Sequence, residues 1–353
     1  MRLDRPLPLE RGGELPAVQL AYETWGSLAP DRSNAVLVLH ALTGDSHVAG
    51  PAGPGHPTAG WWDALVQPGV IDPARYFVVA PNVVGGCQGS TGPSSVAADG
   101  KPWGSRFPSL TVRDQVAAEV ALADALGIDR WAAVVGGSMG GMRALEWAVS
   151  QPERVESLLL LASPAQSSAD QIAWTYPQLQ AIRSDPAWRG GDYYDSAEGP
   201  HRGLGVARRI AHITYRSGAE LSARFGRNPQ GDGRYAVESY LDHHAEKLVR
   251  RFDAGSYVVL AEAMNSHDVG RERGGVKAAL RRVTARTVVG GVTTDRLYPL
   301  AQQREIAAGI ESADEVRVID SPYGHDAFLI ETEQIAALVR ELFTGSESRV
   351  GSR

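Results

Sequence analysis

Cysteine is almost missing from this sequence: 353 residues contain one, Cys87. A single thiol cannot form a disulfide within the chain, so a cystine-stapled scaffold is excluded and a reducing compartment is expected. Long apolar runs are absent too; no stretch reaches the roughly 20 residues that span a bilayer. The start, Met1-Arg2-Leu3-Asp4-Arg5-Pro6, is charged and broken by proline, without an apolar signal core. There is no dense Lys/Arg stripe, and the formal net charge is −6, which argues against a nucleic-acid partner. The nine histidines show no zinc-type spacing, and His-Glu-x-x-His does not occur. Repeats of fixed period and low-complexity tracts are also lacking. These absences lead us to expect a cytoplasmic, soluble protein with no metal, no permanently bound cofactor and no membrane or nucleic-acid partner.

What is present is an ordinary globular composition, 43% hydrophobic and 22% charged, enough for a large core. Short apolar runs recur at Ala35–Leu39, Tyr76–Ala80, Ala132–Val135, Ser157–Leu161, Arg286–Val289 and Glu315–Ile319. Runs of four to six without alternation suit strands buried on both faces, as in a parallel sheet covered by helices. Helical spacing lies between them. Over Thr111–Leu126, Val112, Val116, Val120 and Ala123 share a face, Thr111 can cap with Asp114 three residues on, and Gly127 supplies the stop. A second helix is predicted from about Gly140 to Val149. The alternation implies an α/β fold with right-handed crossovers.

Residues 165–284 read differently, with helical stretches at Ala169–Ile182, Leu204–Arg216, Arg234–Phe252 and Tyr257–Asn265 and no parallel-strand run. The expected organisation is therefore a core in two parts, 1–164 and 285–344, interrupted by a helical lid insertion at 165–284. A polar tail over 345–353 is expected to be disordered.

The strand at Ala132–Val135 runs into Gly136-Gly137-Ser138-Met139-Gly140, a G-x-S-x-G motif followed by a helical pattern. A nucleophile on a strand-to-helix turn needs small flanks, and the helix behind it points amide groups at the site. Ser138 is the candidate nucleophile of an α/β-hydrolase fold, with the Met139 N–H as one oxyanion donor. A phosphate loop fits less well, because the Lys of a P-loop is missing.

A serine hydroxyl needs a base, and this fold places an acid and then a histidine downstream. Asp295 and His325 each follow an apolar run in that order, giving a candidate triad in which His325 is the base and Asp295 orients it. The Leu42 N–H, in His40-Ala41-Leu42-Thr43-Gly44, is the candidate second oxyanion donor, with His40 read as a packed loop residue. Cys87 has no evident activating partner and reads as structural. Such a site transfers acyl groups, to water as a hydrolase or to an alcohol as an acyltransferase.

A more specific resemblance rests on His40–Asp45, on Asn82-Val83-Val84-Gly85-Gly86-Cys87-Gln88-Gly89-Ser90-Thr91-Gly92-Pro93, on Gly136–Gly141, on Asp295–Pro299 and on Gly324-His325-Asp326. These segments resemble the homoserine O-acetyltransferase family, over about residues 9–343. The resemblance implies transfer of an acetyl group from acetyl-CoA to L-homoserine, a first step toward methionine, through an acetyl-serine. It implies Ser138, Asp295 and His325 as the triad, Arg208 (with Arg209 beside it) and Asp326 as ligands of the amino-acid acceptor, and a homodimer formed through the helical insertion. A succinyl donor, a serine acceptor, a water-using esterase and a non-catalytic scaffold stay open as alternatives at this point.

Overall fold

In the computed structural model, which describes residues 1–350 and the side chains of residues 1–344, the apolar runs lie side by side in one sheet. After a small antiparallel ribbon of β1 (Leu7–Pro8) and β2 (Glu14–Leu15), the strands are β3 (Tyr22–Trp25), β4 (Ala35–Leu39), β5 (Phe77–Pro81), β6 (Ala133–Gly137), β7 (Ser157–Leu161), β8 (Arg286–Val292) and β9 (Arg317–Ile319). Their spatial order is β3-β5-β4-β6-β7-β8-β9, and every neighbouring pair is parallel except β3–β5.

Both faces of this sheet are buried, which is why the strands show no alternation. Leu37, Leu39, Val134, Leu158, Leu160 and Val289 enter one core cluster. Their immediate neighbours Val36, Val38, Val135, Leu159, Leu161 and Val288 enter another on the opposite side. Burial of a Val or Leu side chain contributes about 1.5–3 kcal/mol, so a one-residue slip in register would cost many such contacts at once. β3 was not expected from the sequence. Its residues Tyr-Glu-Thr-Trp are partly exposed, as suits an antiparallel edge strand, and carry no apolar run to reveal them.

The first helix, α1 (Val112–Leu126), starts with a capping box in which Thr111 accepts from the Asp114 N–H and Asp114 accepts from that of Thr111. It stops where Gly127 takes the left-handed conformation (φ 67°). α2 (Met139–Ser150) follows β6 directly. Between β7 and β8 the chain is helical: α3 (Ala169–Arg183), α4 (His201–Tyr215), α5 (Gly218–Phe225), α6 (Ala236–Val249), α7 (Ala254–Asn265) and α8 (Val276–Leu280). The short helices α5 and α8 were not anticipated. This segment has its own cluster, in which Leu179, Ile182, Leu204, Leu248, Tyr257 and Leu260 pack with Leu42 and Met139 from the ends of the sheet. It therefore covers the strand ends where those two residues lie. α9 (Leu300–Gly309), α10 (Ala327–Ile330) and α11 (Thr332–Val350) complete the chain. The tail expected over 345–353 falls outside the residues whose side chains are described. Among the described residues, no helix is long and apolar enough to cross a membrane.

Two buried imidazoles make stability depend on pH. Burial pushes His40 down to about 3 and His267 down to about 4. The unfolded chain protonates both near 6.5, so between these values it binds more protons than the folded chain. Their contribution is complete above pH 6.5 and declines as pH falls toward 4. Urea midpoints should be level from pH 8 to 7 and drop between pH 6.5 and 5; a midpoint that rises over that lower interval would contradict the burial of neutral rings.

Candidate active site

Strand becomes helix across a single residue, Ser138, whose backbone sits at φ 58°, ψ −126°. This conformation is costly for a residue with a side chain, about 1–3 kcal/mol. The flanking glycines exist because the backbones crowd here. A Cβ on Gly136 would lie 2.2 Å from the Gly140 carbonyl oxygen, and one on Gly140 would lie 2.0 Å from that of Leu39.

The structure brings Ser138, His325 and Asp295 together. His325 Nε2 lies 2.9 Å from Ser138 Oγ, and its Nδ1 lies 2.7 Å from Asp295 Oδ2. The other carboxylate oxygen of Asp295 accepts the N–H groups of Leu297 (2.8 Å) and Tyr298 (2.9 Å). That oxygen is fixed, so Oδ2 is aimed at the ring. With Nδ1–H donating to Asp295, Nε2 is left to accept the serine proton. Each of the three residues is at most 5% exposed. The rings of Tyr298, Phe328 and Tyr215 stand 5.0, 5.2 and 5.7 Å from that of His325 and limit access of water.

Leu42 and Met139 are buried where the helical segment meets the sheet. Met139 is the first residue of α2, so its N–H has no acceptor one turn back. Among the described residues, neither the Leu42 nor the Met139 amide donates to a protein acceptor. Both are free to receive a negative oxygen.

A group that sequence reasoning missed ties these two loops together. Arg143, one turn into α2, is fully buried. It donates to the His40 carbonyl at 2.7 Å and to Glu119 of α1 at 2.5 Å, and Trp147 Nε1 donates to the same carboxylate at 2.8 Å. The His40 ring in turn accepts the Val83 N–H at 3.0 Å. Burial pushes Glu119 up and Arg143 down, while their mutual attraction opposes both shifts. The sequence offers little signal, because the buried faces of the two helices also carry Asp114, Gln115 and Glu146, so neither Arg143 nor Glu119 stands out.

Arg208 and Asp326 face one another's field. Asp326 is pushed up by burial, against the pull of Arg208, His325 and Arg216, and it lies 3.5 Å from Arg216. Arg216 is itself held by Glu220 at 2.7 Å. Arg208 lies over the Tyr215 ring at 5.4 Å, and its buried Nε has no hydrogen-bond partner among the described residues. Arg209 points elsewhere, to Asp242 at 2.7 Å. A cavity of about 360 Å³ opens beside Arg208, lined also by His244, Lys247, Arg251, Asp45, His47, His56 and Trp61. Its cationic side chains outnumber its single carboxylate, which suits an anionic ligand. Arg251 also donates to the Thr43 carbonyl at 2.8 Å and so steadies the loop that carries Leu42. Burial pushes the Cys87 thiol up to about 11, so it stays protonated and poorly nucleophilic.

Fold and site together define a serine–histidine–aspartate protein of the α/β-hydrolase class. The family model for the alpha/beta hydrolase fold matches residues 34–332. A homoserine O-acetyltransferase of Thermobifida fusca is 70% identical over 350 residues, 97% of this chain and 92% of that relative. Among solved structures, a homoserine O-acetyltransferase from Bacillus anthracis superposes with a TM-score of 0.88 at 27% identity, covering 97% of this chain and 96% of that one. An acetylester hydrolase from Corynebacterium glutamicum gives 0.84 at 29% identity, covering 96% and 94%. The chain belongs to the homoserine O-acetyltransferase family, acyltransferases built on the α/β-hydrolase fold.

Arg143 offers a test of how the amides are held. Arg143→Lys cannot span both Glu119 and the His40 carbonyl. We expect its rate of acylation by p-nitrophenyl acetate to fall about 10²-fold, the scale of one lost oxyanion donor. Arg143→Met strands a buried carboxylate and should cost about 3–5 kcal/mol in urea unfolding. An unchanged acylation rate in folded Arg143→Lys would dismiss the positioning role.

Proposed function

We propose that the chain transfers an acetyl group from acetyl-CoA to the hydroxyl of L-homoserine, giving O-acetyl-L-homoserine, in two half-reactions through an acetyl-Ser138. The observation that carries this reading is the hydrogen-bonded series Ser138–His325–Asp295 next to Arg208, whose Nε has no hydrogen-bond partner among the described residues, and a largely buried carboxylate, Asp326. In the first half-reaction Ser138 Oγ attacks the thioester carbon as His325 Nε2 takes its proton. The oxygen that becomes negative sits on the Leu42 and Met139 N–H groups, and the departing thiolate takes the proton back. In the second, homoserine binds with its carboxylate on Arg208 and its ammonium near Asp326. His325 then accepts the hydroxyl proton as the hydroxyl oxygen attacks the acetyl carbon, and it gives that proton to Ser138 Oγ as the acyl–serine bond breaks, which restores the serine.

Several features support this assignment. The basic lining of the cavity suits the phosphates of acetyl-CoA. A guanidinium binds a carboxylate through two parallel donors. The layer of helices and aromatic rings keeps water from the acetyl-enzyme. The same reading includes cytoplasmic action and a homodimer formed through the helical insertion, residues 165–284. That segment carries the exposed side chains Ile172, Trp174, Tyr176, Val206 and Tyr235.

A hydrolase reading is favoured by one finding, the similarity to an acetylester hydrolase. Thiol release separates the two. Thiol release from acetyl-CoA beyond a first burst of one equivalent per site should require homoserine, with serine a poor acceptor and succinyl-CoA a poor donor. Arg208→Lys should raise the homoserine KM about 10- to 100-fold, the loss of one charge-assisted hydrogen bond, and leave the acetylation burst in place. Release at full rate with no acceptor would replace the transferase reading with the hydrolase one.

A further inference from the structure

Away from the serine, three side chains from separate parts of the chain converge beside the cavity, two of them, His47 and His56, in its lining. Glu23 comes from the edge strand β3, His47 from the loop after β4, and His56 from the Gly- and Pro-rich segment at 50–60. Their potential ligand atoms all lie within 4.8 Å of one another. His47 Nδ1 is 2.9 Å from one oxygen of Glu23, and His56 Nε2 is 3.6 Å from the other. The two imidazoles are stacked, with centroids 3.9 Å apart and planes 11° apart, and each has a ring nitrogen within 4 Å of the same carboxylate.

The surroundings orient each of these groups. His47 Nε2 faces the Pro51 carbonyl at 3.3 Å. A proton on Nε2 leaves the Nδ1 lone pair toward Glu23, which puts acceptor against acceptor at 2.9 Å. A positive centre between them resolves that conflict. Ser46 donates to Glu23 at 2.8 Å and holds the carboxylate in place. Donation of the second ring N–H to a carbonyl, together with a hydrogen-bonded carboxylate, is the arrangement that surrounds protein metal sites. Around a tetrahedral zinc ion, with bonds of about 2.0–2.1 Å, ligand atoms are about 3.3 Å apart. The distances are already near that spacing. An ion, however, lies in the plane of each ring that ligates it, so binding requires the stack to open, with His56, more than a third exposed, turning away from the face of His47.

We propose that Glu23, His47 and His56 form a binding site for a divalent transition-metal ion, which pins the 50–60 segment to β3 beside the cavity. Two imidazoles and a carboxylate select zinc over magnesium or calcium. The fourth position faces the cavity, which His47 and His56 both line, and is left for water or a ligand donor. His56 is more than a third exposed at its side chain, so the ion can enter without unfolding. The ligands lie 24 and 9 residues apart along the chain, which is why no zinc-type spacing marks them. The site is independent of the reaction proposed above.

The test is zinc binding by the full chain after removal of metals with EDTA, measured in competition with a chromophoric chelator. One zinc per chain is expected, with affinity reduced at least tenfold in His56→Gln and in Glu23→Gln and unchanged in His243→Gln, a surface control. Cobalt(II) in place of zinc should give the visible absorption of a four-coordinate ion, absent from His56→Gln. Circular dichroism of each variant checks folding. Absence of stoichiometric zinc in the wild-type chain means that a proton alone sits between His47 and Glu23 and overturns the proposal. So does tight binding that survives both substitutions.

Discussion

The strained backbone at Ser138 is the point on which the rest of the site depends. It is held from the neighbouring strand. The Ser138 N–H donates to the Leu161 carbonyl at 3.0 Å, and the Ser163 hydroxyl donates to the Ser138 carbonyl at 3.0 Å. A strain of about 1–3 kcal/mol persists only where its surroundings over-determine it. Here β4, β7 and α2 all close on the turn, and Gly136 and Gly140 let their backbones approach. The close approach also sets the direction of α2, so the hydroxyl and the Met139 amide are presented by one rigid corner. Arg143 then extends the constraint to the loop of Leu42, through the carbonyl of His40.

Much of this was legible in the sequence because it is local. Apolar runs without alternation identify strands buried on both faces, and β4 and β7 have the bounds that their runs suggest. The capping pair Thr111 and Asp114 and the stop at Gly127 mark α1 from side-chain chemistry alone. Ser138 is visible because its turn demands glycine at fixed positions. Asp295 and His325 are visible because each follows a strand in the order that the fold requires. What was not legible depends on long-range partners. β3 has no apolar run because one side faces solvent. Arg143 and Glu119 look like ordinary helix residues until α1 and α2 are packed together. Arg208 could not be told from Arg209 by pattern. The difference lies in Asp242, which takes Arg209 and leaves Arg208 to face the cavity.

The two polar systems at the site are held differently, and the difference matches their tasks. The Asp295–His325–Ser138 series is buried and hydrogen-bonded throughout, and both oxygens of Asp295 accept hydrogen bonds. Such a network has little freedom to reorient during a proton transfer, which keeps the reorganisation cost low. Arg208 and Asp326 are incompletely satisfied. Among the described residues, Arg208 Nε has no hydrogen-bond partner, and Asp326 has one long ion-pair contact, to Arg216. A buried donor without an acceptor is costly, about 1–3 kcal/mol. A ligand that supplies a carboxylate and an ammonium relieves that cost on binding.

The choice between water and an alcohol as acyl acceptor is not made by the fold. Members of the fold named as acetyltransferase and as acetylester hydrolase both superpose on this chain, with TM-scores of 0.88 and 0.84. Nor is it made by the triad, whose histidine can take a proton from either acceptor. It rests on relative access. Water needs no anchoring, and its attack is limited by the burial of Ser138 and the aromatic rings around His325. An amino-acid alcohol must displace that barrier with binding energy, and the groups able to supply it are the unsatisfied charges beside the ring. Asp326 follows His325 directly in the chain, so a ligand held by this carboxylate is registered against the base itself. In the proposed reaction that adjacency would couple recognition of the acceptor to its deprotonation, which a hydrolytic site does not require.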